Sequence, residues 1–211
     1  MNPSIGLCQR LDSHSEHSIC GTWRVQSFRA TVSRYPRGSI AAEVSKAQQN
    51  SATGVGVTPA LGEGGQCRIR EFAPEDLEAV CKIEVESFPY PYPCKLFLAY
   101  QALFPEFFLV AECEGSVVGY ALAVVERGGR AHVVSIAVTP GCRRRGLGRA
   151  LMLSLEERFR RFGLSEVVLE VAVGNTAALS LYRSLGYSVV ARIPRYYPDG
   201  EDAYLMSKKL L

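Results

Sequence analysis

Residues 137–151 read AVTPGCRRRGLGRAL, and this stretch passes from an apolar run through a turn into an amphipathic segment. The run ends at Pro140, three arginines follow, and Gly146 and Gly148 open the amphipathic segment. A strand that turns tightly into a helix presents unpaired backbone N–H groups and the positive end of the helix dipole, which together bind phosphate. Glycines let a ligand approach the backbone closely, and arginines add forked donors. The stretch therefore predicts an anion-binding turn at the start of a helix.

Two common phosphate-binding loops do not match this turn. A P-loop requires Lys and then Ser or Thr after its last glycine, but Arg149 and Ala150 stand there. A dinucleotide fingerprint requires a third glycine where this chain has Leu151. A solvated arginine cluster without an anion stays open, although three cations would then oppose the helix dipole. A nucleic-acid surface is less favoured, because no aromatic residues are interleaved with the arginines.

The chain from Cys67 onward alternates strand-like and helix-like patterns. The patterns predict strands at 67–73, 107–113, 116–125, 131–138 and 166–173, two more around the turn at 196–202, and helices from Pro74, at 95–104, at 146–162 and at 175–186. This order, β-α-α-β-β-β-α-β-α-β-β, predicts an α/β fold. We expect a mixed, mainly antiparallel sheet with helices on both faces.

Composition sets the broad class of the protein. The 211 residues are 47% hydrophobic and 21% charged, which is ordinary for one or at most two globular domains. The net charge of +3 is too small to argue for nucleic acid. Seven cysteines without a C-x-x-C pair predict reduced thiols in the cytoplasm, not a disulfide framework or a metal site. The sequence shows no run of about 18 apolar residues and no signal peptide.

Residues 1–66 differ from the rest of the chain. Ser, Thr, Gly and Pro supply 24 of these 66 positions, and no strand or helix period is sustained. The segment predicts a disordered extension. Alternatively, translation starts later, at a non-AUG codon near Val55, Val57 or Leu61; an intact mass of 23.1 kDa would exclude this.

The six residues from Arg143 to Gly148 match the pattern [RQ]-x-x-G-x-[GA] and resemble the acetyl-CoA loop of the GCN5-related N-acetyltransferase (GNAT) superfamily. The blocks HVVSIAVTPGCRRRGLGRALM (132–152), LEVAVGNTAALSLYRSLGY (169–187) and YYPDGEDAYLM (196–206) resemble N-terminal (Nα) acetyltransferases of the archaeal Ard1 type and the bacterial RimI type. The resemblance covers residues 67–211. It implies the mixed sheet expected above and transfer of acetyl from acetyl-CoA to a protein α-amine, by direct attack in a ternary complex.

The resemblance also assigns a cofactor site. In the family, the strand before the loop offers backbone groups to the pantetheine arm; here these belong to Ile136, Ala137 and Val138, with the Val138 amide near the thioester carbonyl. The residues that hold the pyrophosphate are Arg143, Arg144, Arg145, Gly146, Leu147 and Gly148. Asn175 contacts the cofactor, and Tyr182 is the general acid beside the sulfur of CoA. Taken alone, these positions also fit a buried strand, a helix cap and a core tyrosine.

His132 and Glu170 each lie within an otherwise apolar strand, AHVVSIAV (131–138) and VVLEVAV (167–173). Buried ionisable groups are costly unless they are paired or functional. The resemblance implies that both deprotonate the acceptor amine, through ordered water. The alternative is that they pair with each other as a satisfied polar contact. Two such residues are weak grounds for a metal site.

The acceptor site follows from the same resemblance. Phe88, Pro89 and Tyr92 match one wall of the peptide entrance, and Tyr196 and Tyr197 match the opposite wall. These five residues form an aromatic collar, which in the family holds a peptide terminus and excludes a lysine that approaches from the middle of a chain. An α-amine has a pKa of about 7.7–8.0 against about 10.4 for lysine, so a modest base suffices.

One departure from the family concerns the substrate. Many relatives carry an acidic residue where this chain has Tyr90, so the preferred first residue stays open, with Met favoured over Ser or Ala. The expected partners are protein N termini, including nascent chains or ribosomal proteins; the oligomeric state is open. The alternatives are an acetyltransferase acting on lysine or a small amine, and a non-catalytic sensor of acetyl-CoA.

Overall fold

The computed structural model describes residues 67–126 and 128–210, and it confirms the predicted element order. The strands and helices are β1 (Cys67–Glu71), α1 (Leu77–Ser87), α2 (Cys94–Leu103), β2 (Phe108–Cys113), β3 (Ser116–Glu126), β4 (Arg130–Val138), α3 (Leu147–Arg161), β5 (Glu166–Ala172), α4 (Thr176–Ser184), β6 (Ser188–Ile193) and β7 (Ala203–Lys209). The extension or later start expected for residues 1–66 lies outside the described residues.

Within the described residues, seven strands form one sheet in the order β1-β2-β3-β4-β5-β7-β6. Of the strands in the described ranges, only β4 and β5 run parallel, and their pairing stops at Val133 and Leu169 although β4 continues to Val138. At this point β4 contains one extra residue, Val134, opposite the step from Leu122 to Ala123 in β3. Such a bulge bends a strand and increases its twist. The two strands therefore diverge and leave an opening in the middle of the sheet.

The helices cover both faces of the sheet, as expected. Gly119 and Tyr120 are consecutive in β3 and so face opposite sides. The Tyr120 ring packs against Phe97 of α2, with centroids 5.6 Å apart. On the other side, a Cβ atom on Gly119 would lie 3.5 Å from Leu151 of α3. None of the helices in the described part of the chain is long and apolar enough to cross a membrane.

Helix α3 forms where its sequence predicts. The residues that recur at spacings of four face the core and are at most 2% exposed, and they are Leu147, Leu151, Leu155 and Phe159. Each stabilises the fold by about 1.5–3 kcal/mol through burial. Gly146 (φ +85°) precedes the helix and Gly163 (φ +71°) follows it, and both occupy the left-handed region that other residues enter only with strain.

The expectation of reduced thiols is wrong for four cysteines. Cys67 and Cys113 are direct partners in the β1–β2 ladder and form a disulfide. Cys81 and Cys94 form a second disulfide, because the chain reversal between α1 and α2 brings their Cα atoms within 5.6 Å. Sequence spacing did not indicate these pairs, since each depends on how the elements fold together. Cys142 is the free cysteine among the residues that the structure describes.

Candidate active site

Two adjoining cavities lie along β4, the first where β4 and β5 diverge and the second between β4, the turn after it and α4. The first, the acidic cavity, has a volume of about 330 Å³ and is lined by three carboxylates, those of Glu170, Asp199 and Glu201. The second, the basic cavity, has a volume of about 460 Å³ and is lined by Arg143, Arg144 and Arg149. Both cavities are lined by Ser87, Phe88, Ile136, Asn175, Ala178 and Tyr182. The structure thus joins two spaces of opposite charge along a common wall.

The basic cavity brings together nearly all of the predicted cofactor residues. Those that line it are Ile136, Ala137, Val138, Arg143, Arg144, Gly146, Leu147, Gly148, Asn175 and Tyr182. Arg145 is exposed and is not among its lining residues. Sequence reasoning missed Arg149 and Cys142, which also line it. Cys142 precedes the predicted six-residue pattern by one position and Arg149 follows it by one position, so the pattern did not include them.

The backbone of β4 is oriented toward the opening. Thr139 donates its N–H to the carbonyl of Val118 in the segment of β3, at 2.8 Å. Successive N–H groups of an extended strand point to opposite edges, so the N–H of Val138 points away from β3 into the opening. The carbonyl of Val138 accepts a hydrogen bond from Nε of Arg143 at 2.9 Å. Arg143 therefore fixes the end of the strand that carries this N–H group.

The turn between β4 and α3 suits an anion. Arg144 (φ +65°) and Gly146 (φ +85°) both take left-handed conformations, and both line the basic cavity. Gly146 is the N-cap residue and has no side chain to cap the helix. The N–H groups of the first helical turn are thereby left for a ligand. A Cβ atom on Gly148 would make only an ordinary 3.5 Å contact with Leu181, so packing alone does not require glycine there.

Tyr182 stands at the junction of the two cavities. Its side chain lies on α4, is 6% exposed and packs against the Tyr187 ring at a centroid distance of 5.9 Å. Burial raises the pKa of Tyr182 well above its ordinary value, so the hydroxyl stays protonated at neutral pH. Asn175 caps α4, because its Oδ1 accepts the N–H of Ala178 at 3.1 Å, and it also lines both cavities. The two interpretations of Asn175 are therefore compatible.

His132 lies between two carboxylates. Its Nε2 is 2.7 Å from Oε2 of Glu170, and its Nδ1 is 3.1 Å from Oε1 of Glu126. Burial opposes the charged ring, but contacts with Glu126 and Glu170 outweigh it and raise the pKa of His132 to about 9. The His132 ring in turn lowers the pKa of Glu126 to about 2. His132 is thus an imidazolium at neutral pH, and of this trio Glu170 lines the acidic cavity.

Glu126 was missed by sequence reasoning. It lies at the end of β3, next to a charged turn, and there it also binds Arg130. Antiparallel pairing sets Glu126 against Arg130 and Val124 against His132, which brings the carboxylate to the histidine ring. The signal available in the sequence was the short hairpin that joins these two strands. Among the described residues, no group of three His, Cys, Asp or Glu side chains could hold a metal ion.

The aromatic collar is only partly at the acidic cavity. Phe88, Pro89, Tyr90 and Tyr197 line it. Tyr196 is not among the lining residues, but its ring packs against Tyr197 at a centroid distance of 5.1 Å.

Tyr92 and the acidic turn also differ from the expected walls. Tyr92 is 8% exposed and belongs to the core rather than to the cavity wall. The sequence did not predict Asp199 and Glu201, which line the acidic cavity from the same turn as Tyr197. The only signal for them was the DGED sequence that follows the two tyrosines.

Comparison with known proteins agrees with this geometry. The family model described as "Acetyltransferase (GNAT) family" matches residues 77–187. The N-alpha-acetyltransferase of Sulfurisphaera tokodaii is 38% identical over 160 residues, covering 70% of this chain and 96% of that protein. Ard1 from Thermoplasma volcanium is similar in structure, with a TM-score of 0.67, 34% identity, and coverage of 69% of this chain and 98% of that one. The Escherichia coli ribosomal-protein-S18-alanine N-acetyltransferase has a TM-score of 0.62, 32% identity, and coverage of 68% and 94%.

Proposed function

Because this chain belongs to the acetyltransferase (GNAT) family, we propose that it transfers the acetyl group of acetyl-CoA to the free α-amine of protein N termini. The observation that supports this most is the pair of cavities that meet at Tyr182. The basic cavity suits the anionic pyrophosphate of a CoA thioester. The acidic cavity suits an amine, which is attracted as an ammonium ion and reacts as the neutral base.

The chain offers a backbone surface to acetyl-CoA. Ile136 presents its N–H and C=O groups, and Val138 its N–H group, at the edge of β4 that β5 has left. The arginines and the first turn of α3 hold the phosphates. Acetyl-CoA supplies the activated acetyl group as a thioester. The N–H of Val138 stabilises negative charge on the carbonyl oxygen during attack.

Glu170 accepts the proton from the acceptor amine. It is the member of the Glu126–His132–Glu170 trio at the cavity wall, and His132 is already protonated. The resemblance gives both residues this task, whereas the geometry favours Glu170 as the proton acceptor and His132 as its positioning partner. An α-amine with a pKa near 8 needs only a weak base, so a carboxylate acting through water suffices.

Tyr182 completes the exchange of atoms. The amine nitrogen forms a bond to the carbonyl carbon while the carbon–sulfur bond breaks. Glu170 takes one proton from nitrogen, and the hydroxyl of Tyr182 donates one to sulfur. The raised pKa of Tyr182 means that the hydroxyl is protonated at neutral pH and is present as a donor when negative charge develops on sulfur.

The acceptor is a peptide N terminus. Phe88 and Pro89 on one side and Tyr197 on the other give the acidic cavity stiff apolar walls, which favour a terminal amine over a lysine reached from mid-chain. Tyr90 lines the same cavity and makes its floor less acidic than that of relatives with a carboxylate there. This favours a hydrophobic first residue such as Met.

A mass-spectrometric acetylation assay tests the proposal. Peptides that share one internal lysine and differ in the first residue are incubated with acetyl-CoA, each with its α-amine free or blocked. We expect acetylation of free α-amines only. Acetylation of lysine in blocked peptides would instead support the lysine alternative, and binding of acetyl-CoA without any transfer would support the sensor.

The setting of the reaction is also part of the proposal. We place the enzyme in the cytoplasm, acting on nascent chains or ribosomal proteins, since these present free N termini. The similar Escherichia coli enzyme is named for ribosomal protein S18. Proteomic comparison of N-terminal acetylation with and without this enzyme identifies its substrates in cells.

A further inference from the structure

A fully buried carboxylate lies beneath the acceptor loop, which we define as residues 88–93. Glu84 of α1 has no exposed surface. Its Oε1 accepts the backbone N–H of Tyr92 at 2.8 Å. Its Oε2 accepts the hydroxyl of Tyr120 in a short hydrogen bond and lies 3.4 Å from Oγ of Ser135. Tyr120 and Ser135 are themselves 2.8 Å apart.

This network joins the two walls of the acidic cavity. Tyr92 lies near the end of the acceptor loop, and Phe88 and Pro89 at the start of this loop line the cavity. Ser135 also lines the cavity, within β4 and next to Ile136. One carboxylate therefore fixes the acceptor loop against the strand that receives acetyl-CoA.

The other end of the acceptor loop is held to the same strand. Nη2 of Arg143 is 3.3 Å from Oγ of Ser87, the residue before Phe88, while Nε of Arg143 binds the carbonyl of Val138. Ser87 and Tyr92 thus each have a contact that leads back to β4. The Glu84 contacts are buried and the Arg143–Ser87 contact is exposed, so Glu84 provides the firmer attachment.

A buried carboxylate needs a reason beyond filling space. Burial of a charged group is costly, and an apolar side chain of similar volume often stabilises a fold as well or better. The hydrogen bonds of Glu84 are directional, whereas apolar packing would let the acceptor loop slide. Directional contacts suit a loop whose position decides whether the amine meets the thioester.

We propose that Glu84 is a positioning residue for acceptor binding, which fixes the acceptor loop to β4 and so sets the shape of the acidic cavity. The inference rests on the proposed function. It concerns binding of the peptide, because the groups that Glu84 holds belong to the acceptor loop and to the wall of the acidic cavity. Glu84 and Tyr120 themselves line neither cavity.

Steady-state kinetics of Glu84→Ala test the inference, with Glu84→Gln as the conservative variant. Glu86→Ala, an exposed glutamate of the same helix, is the matched control. We expect Glu84→Ala to raise KM for the peptide at least about tenfold and KM for acetyl-CoA less than about twofold, a split that general loss of structure would not produce. Glu84→Gln restores most of the peptide KM, because its carbonyl accepts from Tyr92 and its amide donates to Tyr120.

A second variant covers the case in which Glu84→Ala does not fold. Tyr120→Phe removes the hydrogen bonds of this hydroxyl to Glu84 and Ser135 but keeps the bond from the Tyr92 N–H to Glu84, and we expect about a threefold rise in the peptide KM. If the wild-type enzyme acetylates α-amines and these variants keep the wild-type peptide KM, the inference about Glu84 is overturned but the proposed function is not. Equal rises in both KM values would also overturn it. A wild-type enzyme without α-amine activity would overturn the proposed function, and this inference with it.

Discussion

The two cavities are built in different ways. The basic cavity takes most of its wall from one continuous stretch, residues 136–149, and offers chiefly backbone groups to its ligand. The acidic cavity takes its wall from α1 and the acceptor loop, from β4, from β5 and from the turn before β7. The comparison shows that a site made of backbone groups requires the right local conformation of one segment. A site made of side chains from several segments requires that these segments pack correctly against one another.

The two constructions differ in what a substitution can remove. Loss of one arginine from the basic cavity leaves the N–H groups of β4 and α3 in place, so a change that blocks the backbone should weaken acetyl-CoA binding more than such a loss does. A change in the acidic cavity removes the reacting or positioning group itself. We therefore expect the largest kinetic effects on the acidic side.

The strongest test of this contrast is Glu170→Gln. Loss of the proton acceptor should lower kcat by about 10²–10⁴-fold while the Kd for acetyl-CoA stays unchanged. Glu166→Gln on the same strand is the matched control, since Glu166 bonds to Ser207 and lines neither cavity. If Glu170→Gln keeps wild-type kcat, the proton leaves by another route.

A smaller effect is expected at the junction of the cavities. Tyr182→Phe keeps the ring packing but removes the donated proton, and kcat should fall by about 10–100-fold. The effect is smaller than at Glu170 because a thiolate, with an ordinary pKa near 8.5, leaves with little help. Tyr187→Phe, which removes a neighbouring buried hydroxyl, should keep wild-type kcat. An unchanged kcat in Tyr182→Phe would return Tyr182 to a purely structural role.

On the basic side, Gly148→Ala tests whether a ligand approaches the backbone. The new methyl group meets only Leu181 at an ordinary distance, so thermal stability should hold while the Kd for acetyl-CoA rises about tenfold. Gly141→Ala, where a Cβ meets open space, is the control. Gly146 is a poorer test because its φ of +85° would strain any other residue. Unchanged acetyl-CoA affinity in Gly148→Ala would argue against this loop as the phosphate site.

The smallest effect on rate is expected from Glu126→Gln. One of two anions beside His132 is lost, so the pKa of this ring should fall from about 9, with a few-fold loss of kcat. NMR titration can follow the ring, because the chain has only three histidines. A raised folded-state pKa adds stability that is fully present below the ordinary value of 6.5 and is lost as pH rises through about 9. The variant should lose that stability at a lower pH than the wild-type protein does. An unshifted pKa of His132 in the variant would exclude Glu126 as its partner.

Much of the fold could be predicted from the sequence because its signals are local. The apolar spacing of α3, the glycines at both of its ends and the cap at Asn175 each act within a few residues. The same holds for the basic cavity, where the order of strand, turn and helix places the N–H groups without help from distant residues. The reaction class came from the resemblance carried by these same local blocks.

The acidic cavity shows what the sequence leaves open. His132 and Glu170 stand out as charges in apolar strands. Glu126 reaches the same histidine only because of the register between β3 and β4. Tyr92 matches an entrance position, yet its backbone bond to Glu84 draws it into the core. Glu84 looks like an ordinary helix glutamate, and only the packing of α1 on β3 and β4 makes it a buried one. Disulfide pairing likewise depends on contacts between elements.

The measurement that tests the account most directly is the affinity of a bisubstrate analogue, in which CoA is joined through an acetyl bridge to the α-nitrogen of the peptide that the acetylation assay ranks first. If the two cavities form one site that meets at Tyr182, this analogue should bind about 10²–10⁴-fold more tightly than CoA alone. The same analogue linked through a lysine side chain should gain far less. An α-linked analogue that binds no more tightly than CoA would contradict the account, since the two cavities would then not be occupied together.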